Sequence, residues 1–466
     1  MLTYDLTKKG GLPLYEYLYK CIRQDIINKK LVAGERLPSK RNLAQHLQVA
    51  VITVANAYDQ LVTEGYVRAA EKKGYFVENI ADYRLAQEKT PHQDERDQEE
   101  HKFFADFKAN RISAKNFPAA TWYKIMREAL SFSSEDLLAT VPYNGLLSLR
   151  KALAEYLYSS RGMEVTPSQI IVGAGTEYLY GRLMQMFDKG CSIAIEDPGY
   201  KKLAAISSSF GGEWHYIPID EHGMVVSKLE ESGAGVVHLS PSNHFPTGTV
   251  MPIKRRVELF EWVNRCKNRF IIEDDYDSEF RYSGHYIPPL FTQDTRGRVI
   301  YMNTFSKSLV PSLRISYMVL PEVLLQRYLD TMSFYSCTVS SFEQYTLARF
   351  ISEGYFERHI NRMKNYYREQ RTLILTALKK SPLLERAQVE ERNAGTHFLI
   401  SVKTELDADE VRARGLEQEL QLSLYEDYSH GKNPRGEGFC TLVINYAAIE
   451  REKIADVVER LTKVFA

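Results

Sequence analysis

The sequence predicts a two-domain chain. A small helical domain closed by a β-hairpin comes first, then a large α/β domain with a mainly parallel sheet. Three observations carry this. From Phe103 onward, short apolar runs alternate with helical patterns, as parallel strands joined through helices require. From about Asp82 to Lys102 hydrophobic residues almost vanish among charged and polar ones, which marks a domain boundary. Between Pro13 and Val77 stand three amphipathic stretches and two short strand-like runs.

Composition narrows the function classes. A chain of 466 residues, 44% of them hydrophobic, has ample material for more than one domain. Lys and Arg total 60, Asp and Glu total 60, and the net charge is +0, so any nucleic-acid surface must be local. The 5 cysteines (Cys21, Cys191, Cys266, Cys337, Cys440) are scattered without a C-x-x-C pair. That argues against a metal site and a disulfide framework, and fits a reducing cytosol. The N-terminus lacks the apolar core of a signal peptide, and no apolar run approaches membrane-spanning length. A cytoplasmic protein is the expectation.

The first domain is assigned to residues 11–80. Leu14, Leu18, Ile22 and Ile26 recur at helical spacing after Pro13. Gly34-Glu-Arg-Leu-Pro38 breaks that helix, and Ser39 caps a second from Lys40 to about Leu47. A third runs from about Val51 to Glu64 and ends at Gly65. Tyr66-Val-Arg and Gly74-Tyr-Phe-Val then form two strands around a basic turn, Glu71-Lys-Lys-Gly. Helix-turn-helix spacing and a basic wing together describe a winged helix-turn-helix that binds double-stranded DNA. Residues 81–102 are the linker and residues 103–466 the large domain.

In the large domain the strand candidates are Ile170-Ile-Val, Ser192-Ile-Ala-Ile-Glu, Gly235-Val-Val-His-Leu, Phe270-Ile-Ile-Glu and Arg298-Val-Ile-Tyr. Ligands in such sheets sit at the carboxyl ends of strands, and the chemistry-bearing motifs fall there. Tyr301-Met-Asn-Thr-Phe-Ser-Lys-Ser-Leu-Val-Pro-Ser-Leu-Arg314 places Lys307 among hydroxyls and ahead of an arginine. A lysine in a partly dry pocket can lose its proton and form a Schiff base with an aldehyde. Thr304, Ser306 and Arg314 are the donors a phosphate needs. Upstream, Ile271-Ile-Glu-Asp-Asp-Tyr-Asp277 brings an acid for a pyridinium nitrogen, Asp274, and a phenol for a ring oxygen, Tyr276. Together they suggest pyridoxal phosphate. Val172-Gly-Ala-Gly-Thr-Glu opens a helix, and Gly175 and Thr176 offer N–H groups and a hydroxyl to an anion. Glu177 is expected to turn away from it. Pro198 and Gly199 force a turn that presents Tyr200.

On the runs 273–282 and 304–314 the large domain strongly resembles fold-type I pyridoxal-phosphate-dependent aminotransferases. More narrowly, it resembles the MocR/GabR-type regulators, in which an aminotransferase-like domain follows a GntR-type DNA-binding domain. Pro13-Leu-Tyr, Gly34-Glu-Arg-Leu-Pro-Ser-Lys-Arg, Thr53-Val54, Ala57-Tyr58 and Gly65-Tyr66 are similar to the GntR head. The resemblance implies that Arg36, Ser39, Lys40, Arg41 and Thr53 touch DNA, with Lys72, Lys73 and Gly74 as the wing. The family usually has Ser-Arg-Asn before Thr-Val, whereas here stands Ala50-Val-Ile52, so a guanine-reading guanidinium is missing. Either reading shifts to His46, Asn56 or apolar contacts with thymine methyls, or DNA affinity is reduced. The resemblance also implies that Tyr200 stacks on the pyridine ring and that Asn243 or His244, with Asn243 favoured, replaces the usual asparagine on the ring oxygen. It implies a small C-terminal lobe and a homodimer. Val443 falls where aminotransferases usually carry a carboxylate-binding arginine, which disfavours ordinary α-amino acids and leaves the cofactor itself, or an amine held through Arg435, as the signal.

The sequence thus reads as a transcription regulator that senses a small amine, an amino acid or pyridoxal phosphate itself, with transamination left open. The alternative is an active aminotransferase with an appended DNA-binding domain. A plain repressor with a degenerate effector domain is disfavoured, because the lysine and its acid partner both survive.

Overall fold

The computed structural model describes residues 2–79, 103–108, 113–131, 135–187, 190–282, 287–392, 394–430 and 436–466. The linker expected at 81–102 lies outside the described residues, as does Arg435. The chain divides into two compact units, Met1–Glu100 and His101–Ala466.

In the first unit the helices are Leu14–Ile27, Lys40–Leu47 and Val51–Thr63, followed by strands Val67–Ala70 and Gly74–Val77. Leu18, Ile22 and Ile26 of the first helix pack with Leu43, Val54, Tyr58 and Leu61, all buried. Each such side chain contributes about 1.5–3 kcal/mol on burial. Ser39 caps the second helix by accepting the Asn42 N–H at 3.2 Å. The buried Tyr58 hydroxyl donates to the Pro38 carbonyl at 2.9 Å, which fixes the turn before that helix. The two strands pair antiparallel, Val67 opposite Val77 and Ala70 opposite Gly74, so Glu71–Lys73 form the hairpin tip.

The second unit is built on an eight-stranded sheet. Its spatial order is Ile170–Gly173, Ser316–Val319, Val299–Thr304, Phe270–Asp274, Val236–Leu239, Ser192–Asp197, Glu213–Asp220, Gly223–Met224. The pairings from Val299–Thr304 across to Glu213–Asp220 are parallel, while Ser316–Val319 runs antiparallel to both its neighbours. Strand alternation splits the core: Tyr301 and Tyr317 pack on one face, Ile300, Met302 and Met318 on the other. Strands Ala387–Glu390, His397–Lys403 and Phe439–Asn445 form a separate antiparallel sheet near the C-terminus. Among the described residues no helix is long and apolar enough to cross a membrane.

Candidate functional site

Three strand ends meet in register to make the anion cradle. Thr304 is paired with Ser316, and Ser316 with Gly173. The Ser316 hydroxyl donates to Thr304 Oγ1 at 2.8 Å, and Thr304 Oγ1 donates to Ser306 Oγ at 3.0 Å. Thr176 Oγ1 lies 3.5 Å from Ser316 Oγ, closing a cluster of four hydroxyls. Gly175 precedes helix Thr176–Met186 with φ +99°. A Cβ there would press on Arg314, 2.8 Å from its Cζ and nearer still to Nη2. The guanidinium therefore covers the bare backbone at a helix N-terminus, where unpaired N–H groups favour anions. Arg314 itself has φ +51° at the C-cap of a short turn, Pro311–Leu313. Gly175→Ala pushes the guanidinium off this seat. Losing one charged hydrogen bond costs about 1.5–3 kcal/mol, so the expected result is a roughly tenfold or greater loss of affinity for a phosphate-bearing ligand, read by equilibrium titration.

Glu177, expected to turn away from the anion, approaches Arg314. Its Oε2 lies 3.8 Å from Arg314 Nη2, while Oε1 accepts from the Tyr200 hydroxyl at 3.1 Å and from Lys202 Nζ at 3.2 Å. Partial burial would raise this carboxyl, but Lys202, Tyr200 and Arg314 more than offset that and hold it below its ordinary range.

Lys307 follows the cradle on a one-turn helix, Phe305–Ser308, with Thr304 as N-cap. It is half-buried. Burial pushes its ammonium pKa down, and the Asp277 carboxylate opposes that shift. Lower proton affinity is what a nucleophilic lysine requires.

The acidic run sorts into structural and site-facing groups. Glu273 is buried and accepts the backbone N–H groups of Leu290 and Phe291 at 2.8 and 3.0 Å. Asp275 accepts the Tyr301 hydroxyl at 2.8 Å, and the buried Arg161 lies 3.9 Å from Asp275 and 3.4 Å from Glu279. These contacts brace the segment from the protein side. Asp275 Oδ1 and Glu279 Oε2 are likewise unpartnered, but those two carboxylates have Tyr301 or Arg161 on their other oxygen. Asp274 Oδ1 and the Tyr276 hydroxyl are buried without a hydrogen-bond partner among the described residues, and neither side chain faces a lysine or arginine within ion-pair distance. Buried polar groups without partners are uncommon and costly. An acceptor and a phenol left open at this strand end fit a ring that offers an N–H and an oxygen. His238, which the sequence reading passed over, places Nε2 3.6 Å from Asp274 Oδ2.

Asn243 Oδ1 is buried without a hydrogen-bond partner among the described residues. Its Nδ2 donates to both oxygens of Asp277, at 2.9 and 2.8 Å. Burial lifts the Asp277 carboxyl to about 7, the Asn243 bonds and the Lys307 charge working against it. A Cβ on Gly395 would sit 2.5 Å from Asn243 Nδ2 and 2.8 Å from Asp277 Oδ2, so glycine is required there. Asp277 was not singled out in the sequence, because its lysine and asparagine neighbours are distant in the chain. His244 faces away from Asp277 toward the Pro198 carbonyl at 3.1 Å. Tyr200 is partly exposed, its hydroxyl turned to Glu177.

In the head, Arg41, Lys72 and Lys73 are exposed, whereas Lys40 is held by Asp59 at 3.0 Å and lies over the Tyr75 ring. Arg36 packs against the wing, its Nε 3.2 Å from where a Gly74 Cβ would stand. Thr53 is half-buried, and Ile52 beside it is 66% exposed at the start of the third helix.

Both domains match known protein families. Residues 108–461 match the family "Aminotransferase class I and II", and residues 14–77 match "Bacterial regulatory proteins, gntR family". The chain belongs to the MocR/GabR-type regulators. It is 39% identical over 403 residues to the HTH-type transcriptional regulator YdeL of Bacillus subtilis, covering 86% of each chain. To the probable rhizopine catabolism regulatory protein MocR of Rhizobium meliloti it is 30% identical over 477 residues, covering 99% of this chain and 95% of that one. An archaeal alanine:glyoxylate aminotransferase superposes with a TM-score of 0.69 at 24% identity, over 78% of this chain and 90% of that one, which is a likeness of fold. Like other MocR/GabR-type chains, this one joins a gntR-family head to an aminotransferase-fold domain, whose enzymes use pyridoxal phosphate.

Proposed function

We propose that this chain is a DNA-binding transcription regulator that holds pyridoxal phosphate at Lys307 and responds to a small amine, an amino acid or the cofactor itself. The observation that carries the reading is the open pair, Asp274 Oδ1 and the Tyr276 hydroxyl, at the end of the strand that pairs with the one leading to Lys307. Asp274 would face the ring nitrogen, Tyr276 the ring oxygen, and Arg314, Thr304, Ser306, Gly175 and Thr176 the phosphate. Tyr200 would lie against the ring. When bound, the cofactor supplies an electron-withdrawing ring and an aldehyde for amines. The chain's own residues orient it, keep Lys307 short of protons and neutralise the phosphate. Two such chains would pair, as fold-type I proteins do, and linked heads would bind two half-sites with raised effective concentration.

The effector side favours a regulator over a working aminotransferase. Val443 is 1% exposed and packs with Leu399, Tyr425, Phe245 and Tyr428. An apolar cluster therefore stands at the position aligned with the carboxylate-binding arginine. An α-carboxylate placed there forgoes a charged hydrogen bond worth roughly 1.5–3 kcal/mol, a ten- to hundredfold weaker hold on the order of magnitude. Ordinary α-amino acids are expected to react poorly. A spectral titration of the cofactor-loaded protein with a panel of amino acids tests this. Conversion by a common amino acid at micromolar concentration contradicts it.

A further inference from the structure

The phosphate cradle contains a carboxylate that a purely anion-binding site should not have. Glu177 is the second residue of the helix whose N-terminus faces the anion position, and its Oε2 lies 3.8 Å from the Nη2 of Arg314. Arg314 is half exposed, and it covers Gly175 because no Cβ stands in its way. Glu177 is held there by two further donors, the Tyr200 hydroxyl and Lys202 Nζ. A carboxylate at the first turn of a helix, facing a guanidinium, satisfies the same electrostatic demand as a phosphate.

We propose that Glu177 is a displaceable internal anion that occupies Arg314 in the ligand-free chain, so that a phosphate-bearing ligand must displace it to bind. Glu177 thereby sets the affinity of the site and its dependence on the phosphate group. This deepens the reading of the cradle as the phosphate end of a pyridoxal phosphate site and rests on it. Displacement also releases Tyr200 and Lys202. Their segment is tied to the C-terminal region, through the Gly199 N–H to the Tyr428 carbonyl at 2.9 Å and Lys201 Nζ to the Glu426 carbonyl at 3.0 Å. Tyr428 in turn packs in the cluster around Val443.

The test compares the full-length wild type with Glu177→Gln and Glu177→Ser, using pyridoxal phosphate, pyridoxal and inorganic phosphate as probes. Absorbance reports the first two, and the shift in thermal midpoint reports the third. Removing one repelling charge near an incoming anion should tighten pyridoxal phosphate and inorganic phosphate by roughly five- to tenfold, in both variants, and leave pyridoxal unchanged. Unchanged or weaker phosphate affinity in the variants overturns the proposal, as does an equal gain for pyridoxal. If the wild type gives no cofactor band at all while inorganic phosphate still binds the variants more tightly, the cofactor reading falls and the role of Glu177 stands.

Discussion

Lys307→Ala is expected to abolish covalent capture of pyridoxal phosphate completely while leaving reversible binding in place. On the proposed reading the lysine is the amine offered to the aldehyde; it stands on a single helical turn directly after the hydroxyl cluster. The cradle of Arg314, Gly175 and the Thr304, Ser306, Ser316 and Thr176 hydroxyls is built from separate residues and survives the substitution. Two measurements separate the effects. Borohydride should fix cofactor on the wild type and none on the variant. Equilibrium dialysis should still find cofactor on the variant, lost with Arg314→Ala added. Borohydride-stable cofactor on Lys307→Ala would mean that another amine takes this role.

The second large effect concerns DNA. Arg41→Ala combined with Lys72→Ala and Lys73→Ala removes three exposed cations from the second helix and the hairpin tip. Each lost phosphate contact should lower the slope of log affinity against log salt by about 0.9, and affinity should fall across all duplex sequences. Lys40 is a poorer test, since Asp59 and the Tyr75 ring hold it and its loss acts on the fold as well. Fluorescence anisotropy at several salt concentrations measures both quantities. An unaltered slope would place the DNA face elsewhere on the head.

Local chemistry made most of the fold readable. Ser39 before Lys40, Gly65 after Thr63 and the Lys-Lys-Gly turn each specify a cap or a turn without help from distant residues. Buried parallel strands announce themselves as apolar runs, and the five strands read from the sequence are present. Two of the strands not recognised have physical reasons. Glu213–Asp220 carries an exposed Trp214 and an internal Pro218, both of which weaken a strand pattern. Ser316–Val319 has four residues directly after the arginine motif and was absorbed into it.

At the site, residues adjacent in sequence to a motif were legible, and residues that arrive through pairing were not. Ser316 enters because antiparallel register sets it beside Thr304, and His238 because a neighbouring strand delivers it to Asp274. Asp277 stood in plain view within the acidic run, but only the tertiary structure distinguishes it from Glu273 and Asp275, which serve a helix and a buried ion-pair network. In the sequence Glu177 stands next to the anion donors Gly175 and Thr176. Its direction could not follow from sequence, since it depends on Arg314, Tyr200 and Lys202 converging from three segments.

The central claim is that Lys307 carries pyridoxal phosphate. The most direct measurement is the absorbance spectrum of the full-length wild type after incubation with the cofactor and desalting, followed by borohydride and mass analysis of its peptides. The account predicts a visible band that borohydride abolishes, with the added mass on the peptide containing Lys307. A spectrum without that band after reconstitution, or added mass confined to other lysines, contradicts it.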